Sequence, residues 1–166
     1  MSVLRELFLK SEIRKKSNPR VFPGWEKTSS ICMVIPGESE FIKAARKFIS
    51  DSGKQADIVT FNKDKTTVIQ DVYISLNKKN FKITGIPHEA SLQKLKSKKY
   101  DAVVCCDLEG GFELKSITLL LQYDLLVGAS ENAYSKYFDI SIAAGKLGMA
   151  GFLEQVLKYM KMIKTL

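Results

Sequence analysis

Residues 31–61 read ICMVIPGESEFIKAARKFISDSGKQADIVTF, and this stretch decides the fold. Ile31 to Ile35 is a short continuous apolar run, the mark of a strand buried on both faces. The strand is read over Ile31 to Pro36. Phe41, Ile42, Ala45, Phe48 and Ile49 then recur at three- and four-residue intervals, so they share one face of a helix from about Ser39 to Ser52. Ser52-Gly53 supplies the stop, and Asp57 to Phe61 reads as the next strand. A helix between two strands returns the chain to the same end of the sheet, which makes the strands parallel.

The alternation continues along the chain. Val72 to Leu76 and Phe81 to Thr84, with Asn77-Lys78-Lys79-Asn80 between them, form either a hairpin or one interrupted strand. Gly85-Ile86-Pro87 leads into a helix over His88 to Lys98. Ala102 to Cys106 is a central strand, Leu114 to Gln122 a helix, Leu125 to Ala129 a buried strand, and Phe138 to Ile142 alternates as an edge strand does. A last helix gathers Phe152, Leu153, Val156, Leu157, Met160 and Ile163 on one face, with Glu154, Gln155, Lys158, Lys161 and Lys164 opposite. The expected architecture is α/β: a single three-layer, largely parallel sheet, Rossmann-like or flavodoxin-like, with a basic N-terminal helical extension. The expected organisation is a basic amphipathic helix over residues 1–17, with Leu4, Leu7 and Phe8 as its stripe, a linker over 18–30, and the α/β domain over 31–166. Asn18-Pro19 and Pro23-Gly24 mark the linker, and Trp25 is expected to pack it onto the body.

At 166 residues and 18.7 kDa the chain has room for one core. A 45% hydrophobic and 27% charged composition excludes a disordered chain, and the apolar runs fall far short of the roughly 20 residues a bilayer-crossing helix needs. Arg5 and Glu6 interrupt the first apolar patch, so no signal peptide is expected and the cytoplasm is the expected location. Cys32, Cys105 and Cys106 lie in apolar segments and are odd in number, so they read as free core thiols, with Cys105 and Cys106 on opposite faces of their strand.

A net charge of +8 favours an acidic partner. Residues 1–20 carry six cations against Glu6 and Glu12, which makes Lys10, Arg14, Lys15, Lys16 and Arg20 the candidate anion or nucleic-acid site. The expected partner is RNA or a ribonucleoprotein; another protein of a larger assembly, or a membrane surface, stands behind it. Lys94, Lys96, Lys98 and Lys99 at the end of the middle helix need no partner, because cations there answer the helix dipole.

In an open α/β sheet, ligands sit beyond the carboxyl ends of the strands. The first such loop, Pro36 to Glu40, offers Gly37 and Ser39 but has neither GxGxxG nor a Walker pattern, and its two glutamates suit a helix start better than a phosphate. Glu38 or Ser39 is its expected cap. The second loop, Asp107-Leu108-Glu109-Gly110-Gly111, places an acid and a flexible turn after a central strand, a pattern able to hold a metal or a ribose hydroxyl. Gly37, Ser39, Asp107, Gly110 and Gly111 are therefore the alternative site, for a nucleotide-like ligand. His88, the only histidine, sits at a helix entrance with no nucleophile at a matching spacing. No catalytic residue, metal ligand set or cofactor is expected.

Several short motifs together carry a family resemblance. They are the basic helix before the first strand; Lys78-Lys79-Asn80-Phe81 with Gly85 and Pro87; Tyr100-Asp101-Ala102-Val103-Val104 leading to Asp107-Leu108; Tyr137-Phe138-Asp139-Ile140; and Phe152-Leu153-Glu154-Gln155-Val156 with Tyr159. Over most of residues 30–163 the chain resembles a bacterial, Bacteroidetes-type domain-of-unknown-function family of small α/β proteins. The resemblance implies an α/β fold in a bacterial cytosol and supplies no activity, cofactor or catalytic residue. Gly110-Gly111 departs from the family pattern.

Overall fold

The computed structural model describes residues 2–15 and 20–164. Six parallel strands make one sheet in the order β3-β2-β1-β4-β5-β6. They are β1 (Ile31–Pro36), β2 (Ala56–Asn62), β3 (Ile74–Asn77), β4 (Lys99–Cys105), β5 (Gln122–Ala129) and β6 (Ile140–Ile142). Among the described residues five helices cover them: α1 (Ser2–Arg14), α2 (Ser39–Ser52), α3 (Glu89–Lys96), α4 (Phe112–Leu120) and α5 (Gly148–Lys161).

The apolar run Ile31 to Ile35 becomes the centre of the sheet because it has no polar face to give to water. All five side chains are fully buried. Ile31, Met33 and Ile35 pack with Ala45 and Phe48 of α2 and with Phe152, Leu153, Val156 and Met160 of α5. Cys32 and Val34 face the opposite layer, with Leu92 and Leu95 of α3 and Leu114, Ile117 and Leu120 of α4. The same alternation sends Cys105 to the second layer and Cys106 to the first. All three cysteines are buried and free.

The passage from β2 to β3 is a loop, residues 63–73, held beside α2 by Arg46 Nη2 donating to the Asp71 carbonyl at 3.3 Å. Beyond β3 neither a hairpin nor an interrupted strand forms. Asn77 Oδ1 accepts from Lys79 N at 3.0 Å and Asn80 Oδ1 accepts from Asn77 N at 2.8 Å. This reciprocal cap turns Lys78–Asn80 into a 3₁₀ turn, an outcome asparagine favours by competing for backbone groups. Phe81 then bridges Pro87, closing a small loop whose Gly85 adopts φ 83°.

Residues 2–14 and 20–30 pack against the helices and sheet described above. α1 sits on the α3/α4 layer with Leu9 fully buried and Ile13 packed beside it. Glu6 pairs with Lys115, and Glu12 pairs with Lys96 at 3.2 Å. Arg5 donates from Nε to the Ile83 carbonyl at 3.3 Å and lies over the Phe112 ring. The inward side of α1 is therefore Leu9 flanked by acids. The expected stripe, Leu4, Leu7 and Phe8, faces water instead, because the two glutamates find lysines on α3 and α4. Within residues 20–30, Phe22, Trp25 and Thr28 are buried, and Trp25 N donates to the Ile163 carbonyl at 2.9 Å. Among the described residues no helix is long and apolar enough to cross a membrane.

Candidate functional site: the crevice at the strand-order reversal

The strand order reverses between β1 and β4, because β1 connects outward to β2 while β4 continues outward on the other side. At such a point the two following loops diverge and leave a crevice above the sheet. Here it measures about 500 Å3, a size common for small-ligand sites. It joins the loops after β1, β2 and β4: Pro36, Gly37, Glu38; Asn62, Lys63, Asp64; and Cys106 to Glu109 with Gly111. Phe41, Phe61, Leu114 and Met149 supply its apolar floor.

Gly37 is fixed from two sides. Its N–H donates to the Phe61 carbonyl at 3.0 Å, and a Cβ there would stand 2.1 Å from Asn62 Oδ1. Asn62 Nδ2 reaches the Gly37 carbonyl at 3.5 Å, which orients the amide because a carbonyl can only accept. Asn62 Oδ1 is left buried without a donor among the described residues. Glu38 occupies the N-cap of α2 through its backbone, its carbonyl accepting from Phe41 N and Ile42 N at 3.1 Å each. Glu38 is thus the cap residue, one of the two the sequence offers, although its side chain makes no cap bond; Glu38 and Ser39 are both exposed at the helix start.

Asp107 has a different environment from an open ligand. It is buried, and both carboxylate oxygens are occupied from within. Oδ1 accepts from Glu109 N at 3.2 Å and Gly110 N at 3.0 Å; Oδ2 accepts from Gly111 N at 2.9 Å and the Tyr134 hydroxyl at 2.8 Å. Three converging N–H groups form the kind of nest that takes an anion, and the anion is the chain's own carboxylate. Burial, with Cys105 and Asp107 alongside, pushes the Tyr134 phenol far above its ordinary range, so it remains a donor. The loop after β5 locks the arrangement: Asn132 Nδ2 donates to the Asp107 carbonyl, and Tyr134 N donates to Asn132 Oδ1 at 2.7 Å.

Of the ligand residues read from sequence, Gly37, Asp107 and Gly111 thus come together around one crevice. Ser39 starts α2 beside it, and Gly110 stands behind the loop at φ 110° against Ala133. Phe41, Asn62, Lys63, Glu109 and Met149 were not singled out. The rule that ligands gather at strand ends also covers the end of β2, and would have found Asn62 and Lys63. Among the described residues no group of three metal-ligating side chains occurs.

The basic candidates divide. Arg20 forms a two-pronged pair with Asp139, Nη1 to Oδ2 at 2.7 Å and Nη2 to Oδ1 at 3.0 Å, and lies over the Tyr123 ring. Lys15 pairs with Glu12 at 2.8 Å. Lys10 and Arg14 are exposed, and neither reaches a carboxylate among the described residues. Lys16 lies outside the described residues. In the other lysine cluster, Lys96, Lys98 and Lys99 pair with Glu12, Asp57 and Asp124.

His88 is the exposed N-cap residue of α3 and makes no side-chain cap bond. Burial pushes the Cys105 thiol up to about 11 and raises Cys32 and Cys106 as well, which removes all three as nucleophiles near neutral pH.

An all-parallel sheet ordered 3-2-1-4-5-6 between two helical layers, with a crevice at its reversal point, defines a doubly wound α/β protein of the Rossmann-like class. Residues 4–163 match a family of unknown function, DUF6913, and the chain belongs to it. No curated protein and no solved structure matches the chain.

Proposed function

We propose that this protein binds a small ligand in the crevice at the strand-order reversal. The carrying observation is that the place where the topology must open the sheet coincides with a crevice of about 500 Å3, within the range of small-ligand sites. Its polar wall favours a particular chemistry. Glu38, Glu109 and Asn62 Oδ1 are acceptors, Lys63 is the single cation among the lining residues, and the nest after β4 is filled by Asp107. A ligand that donates, through hydroxyl or amino groups on an apolar ring system, matches these better than a polyphosphate. A thermal-unfolding screen of nucleosides, nucleotides and amines tests this. A ligand at a hundred times its Kd adds about 2.7 kcal/mol of stability. Reversing the exposed acceptors in Glu38→Arg with Glu109→Arg removes that gain. A gain that survives the reversal rejects the site.

A second reading has an anionic partner, RNA or a ribonucleoprotein, on α1. It is supported by Lys10 and Arg14, exposed and unpaired among the described residues, and by the net charge of +8. Arg20 and Lys15, already held by Asp139 and Glu12, contribute less to it. Binding to mixed RNA that falls steeply with salt, and falls again in Lys10→Glu with Arg14→Glu, supports it. Salt-independent binding counts against it.

A further inference from the structure

Ordinarily a helix on a globular domain turns its apolar side inward and its charges outward. α1 does the reverse over its first two turns. Val3, Leu4, Leu7 and Phe8 are 71%, 54%, 58% and 48% exposed, although the same helix buries Leu9 one position further on. The cause is the acid pairing already described: Glu6 to Lys115 and Glu12 to Lys96 anchor the inward side. At 100° per residue, Leu4, Leu7, Phe8 and Ser11 fall on one side of the helix, and Arg14 continues that side into the last turn. Lys10 borders it. The outward side therefore runs from bulky apolar residues to cations.

We propose that this outward side of α1 docks on an anionic lipid surface, with Leu4, Leu7 and Phe8 entering the acyl boundary and Lys10 and Arg14 meeting the headgroups. Both halves of the surface are used only by such an occupant. A polyribonucleotide would engage the cations and leave four large apolar side chains in water. A second copy would cover the apolar residues, but it would bring together two chains of +8 each. Exposed Leu and Phe offer a lipid interface apolar area to bury, and the cations that follow them along the same side add attraction to anionic headgroups. Adhesion is reversible, because one short apolar patch with a few cations binds weakly.

Co-sedimentation of the full chain with vesicles tests the proposal, using phosphatidylcholine alone and phosphatidylcholine containing phosphatidylglycerol. Binding is expected only with the anionic lipid and weakens as salt rises. Leu7→Glu with Phe8→Glu, and separately Lys10→Glu with Arg14→Glu, each lower it about tenfold or more. These side chains are exposed, so thermal unfolding of the variants should match the parent. The milder Leu7→Ser with Phe8→Ser gives the same readout should the acidic pair disturb α1. Equal binding to neutral vesicles, binding indifferent to both variant pairs, RNA binding with no vesicle binding, or a dimer lost in the Leu7→Glu, Phe8→Glu chain with no vesicle binding would each overturn the proposal.

Discussion

Replacing Asp107 distinguishes a carboxylate that builds the crevice wall from one held in reserve for a ligand. In Asp107→Ala, three backbone N–H groups and the Tyr134 hydroxyl lose their acceptor in a buried loop. Hydrogen bonds to a charged group are worth about 1.5–3 kcal/mol each, and removing a partner leaves a desolvated donor. The three N–H groups share one carboxylate, and Glu109 and Gly111 are exposed enough for water to replace part of the loss. The four bonds are therefore not additive, and a net cost of about 3–4 kcal/mol follows. With a urea m-value of about 2 kcal/mol/M the midpoint falls by about 1.5–2 M. Asp107→Asn keeps one acceptor oxygen but turns an NH2 toward donors, so it should lose about 2 kcal/mol. Urea unfolding at neutral pH measures both. A loss below about 1 kcal/mol in the alanine variant would refute the internal role, and a gain would point to a ligand-reserved acid, since such groups are often retained at a cost in stability.

Three other outcomes follow from the same contacts. Hydrogen bonding from Lys15, joined by Lys96 and opposed by partial burial, holds the Glu12 carboxyl below its ordinary value. The stability it adds is present above the unfolded value near pH 4.5 and is lost as pH falls through the lower folded value. Glu12→Gln should cost about 1 kcal/mol or less at pH 7 and converge with the parent in acid, by urea titration at several pH values; a gap that persists in acid contradicts the pairing. The Cys105 thiol, raised to about 11 by burial, titrates only after its unfolded counterpart, so its contribution is complete below about pH 8.5 and is lost as pH rises through the folded value. A thiol reagent at pH 8 should leave all three cysteines of the native protein unmodified and label them all in denaturant; rapid native labelling would contradict their burial. Gly24 sits at φ 91°, and a Cβ there would overlap the Lys164 carbonyl at 1.3 Å. Gly24→Ala should cost about 3 kcal/mol or more and free residues 20–30 for limited proteolysis, whereas unaltered protease resistance would contradict the docking of that segment.

Sequence pattern carried most of the sheet and little of the site. The bounds of α2 are readable because Phe41, Ile42, Ala45, Phe48 and Ile49 lie in register and Gly53 stops the helix with φ 67°. β1 and β4 are legible because continuous apolar runs have few alternatives. Two features depend on distant partners. The spacing of Leu4, Leu7 and Phe8 defines a face, but which face turns inward was decided by Lys96 and Lys115, two residues on other helices. Over Val72 to Thr84 the pattern allows a hairpin or one interrupted strand, and the choice falls to neither because Asn77 and Asn80, at the two ends of a short segment, cap one another. At the crevice, Gly37, Asp107 and Gly111 follow from their places after strands. Met149 reaches it from the first turn of α5, and nothing local in its sequence announces that. Asp107 illustrates a further limit: an acid before Gly-Gly reads equally as a ligand group or as the acceptor for its own turn, and only Tyr134 and the three amides distinguish them.

The most direct measurement is the amide spectrum of the 15N-labelled full chain, titrated with the nucleosides or amines that raise thermal stability. Binding in the crevice shifts amides in residues 36–41, 61–64 and 106–114, the loops after β1, β2 and β4 with the helix starts that follow them. Perturbations that instead gather along β6 and α5, or a stabilising compound that leaves those three loops unmoved, would contradict the assignment of the ligand to the strand-order reversal.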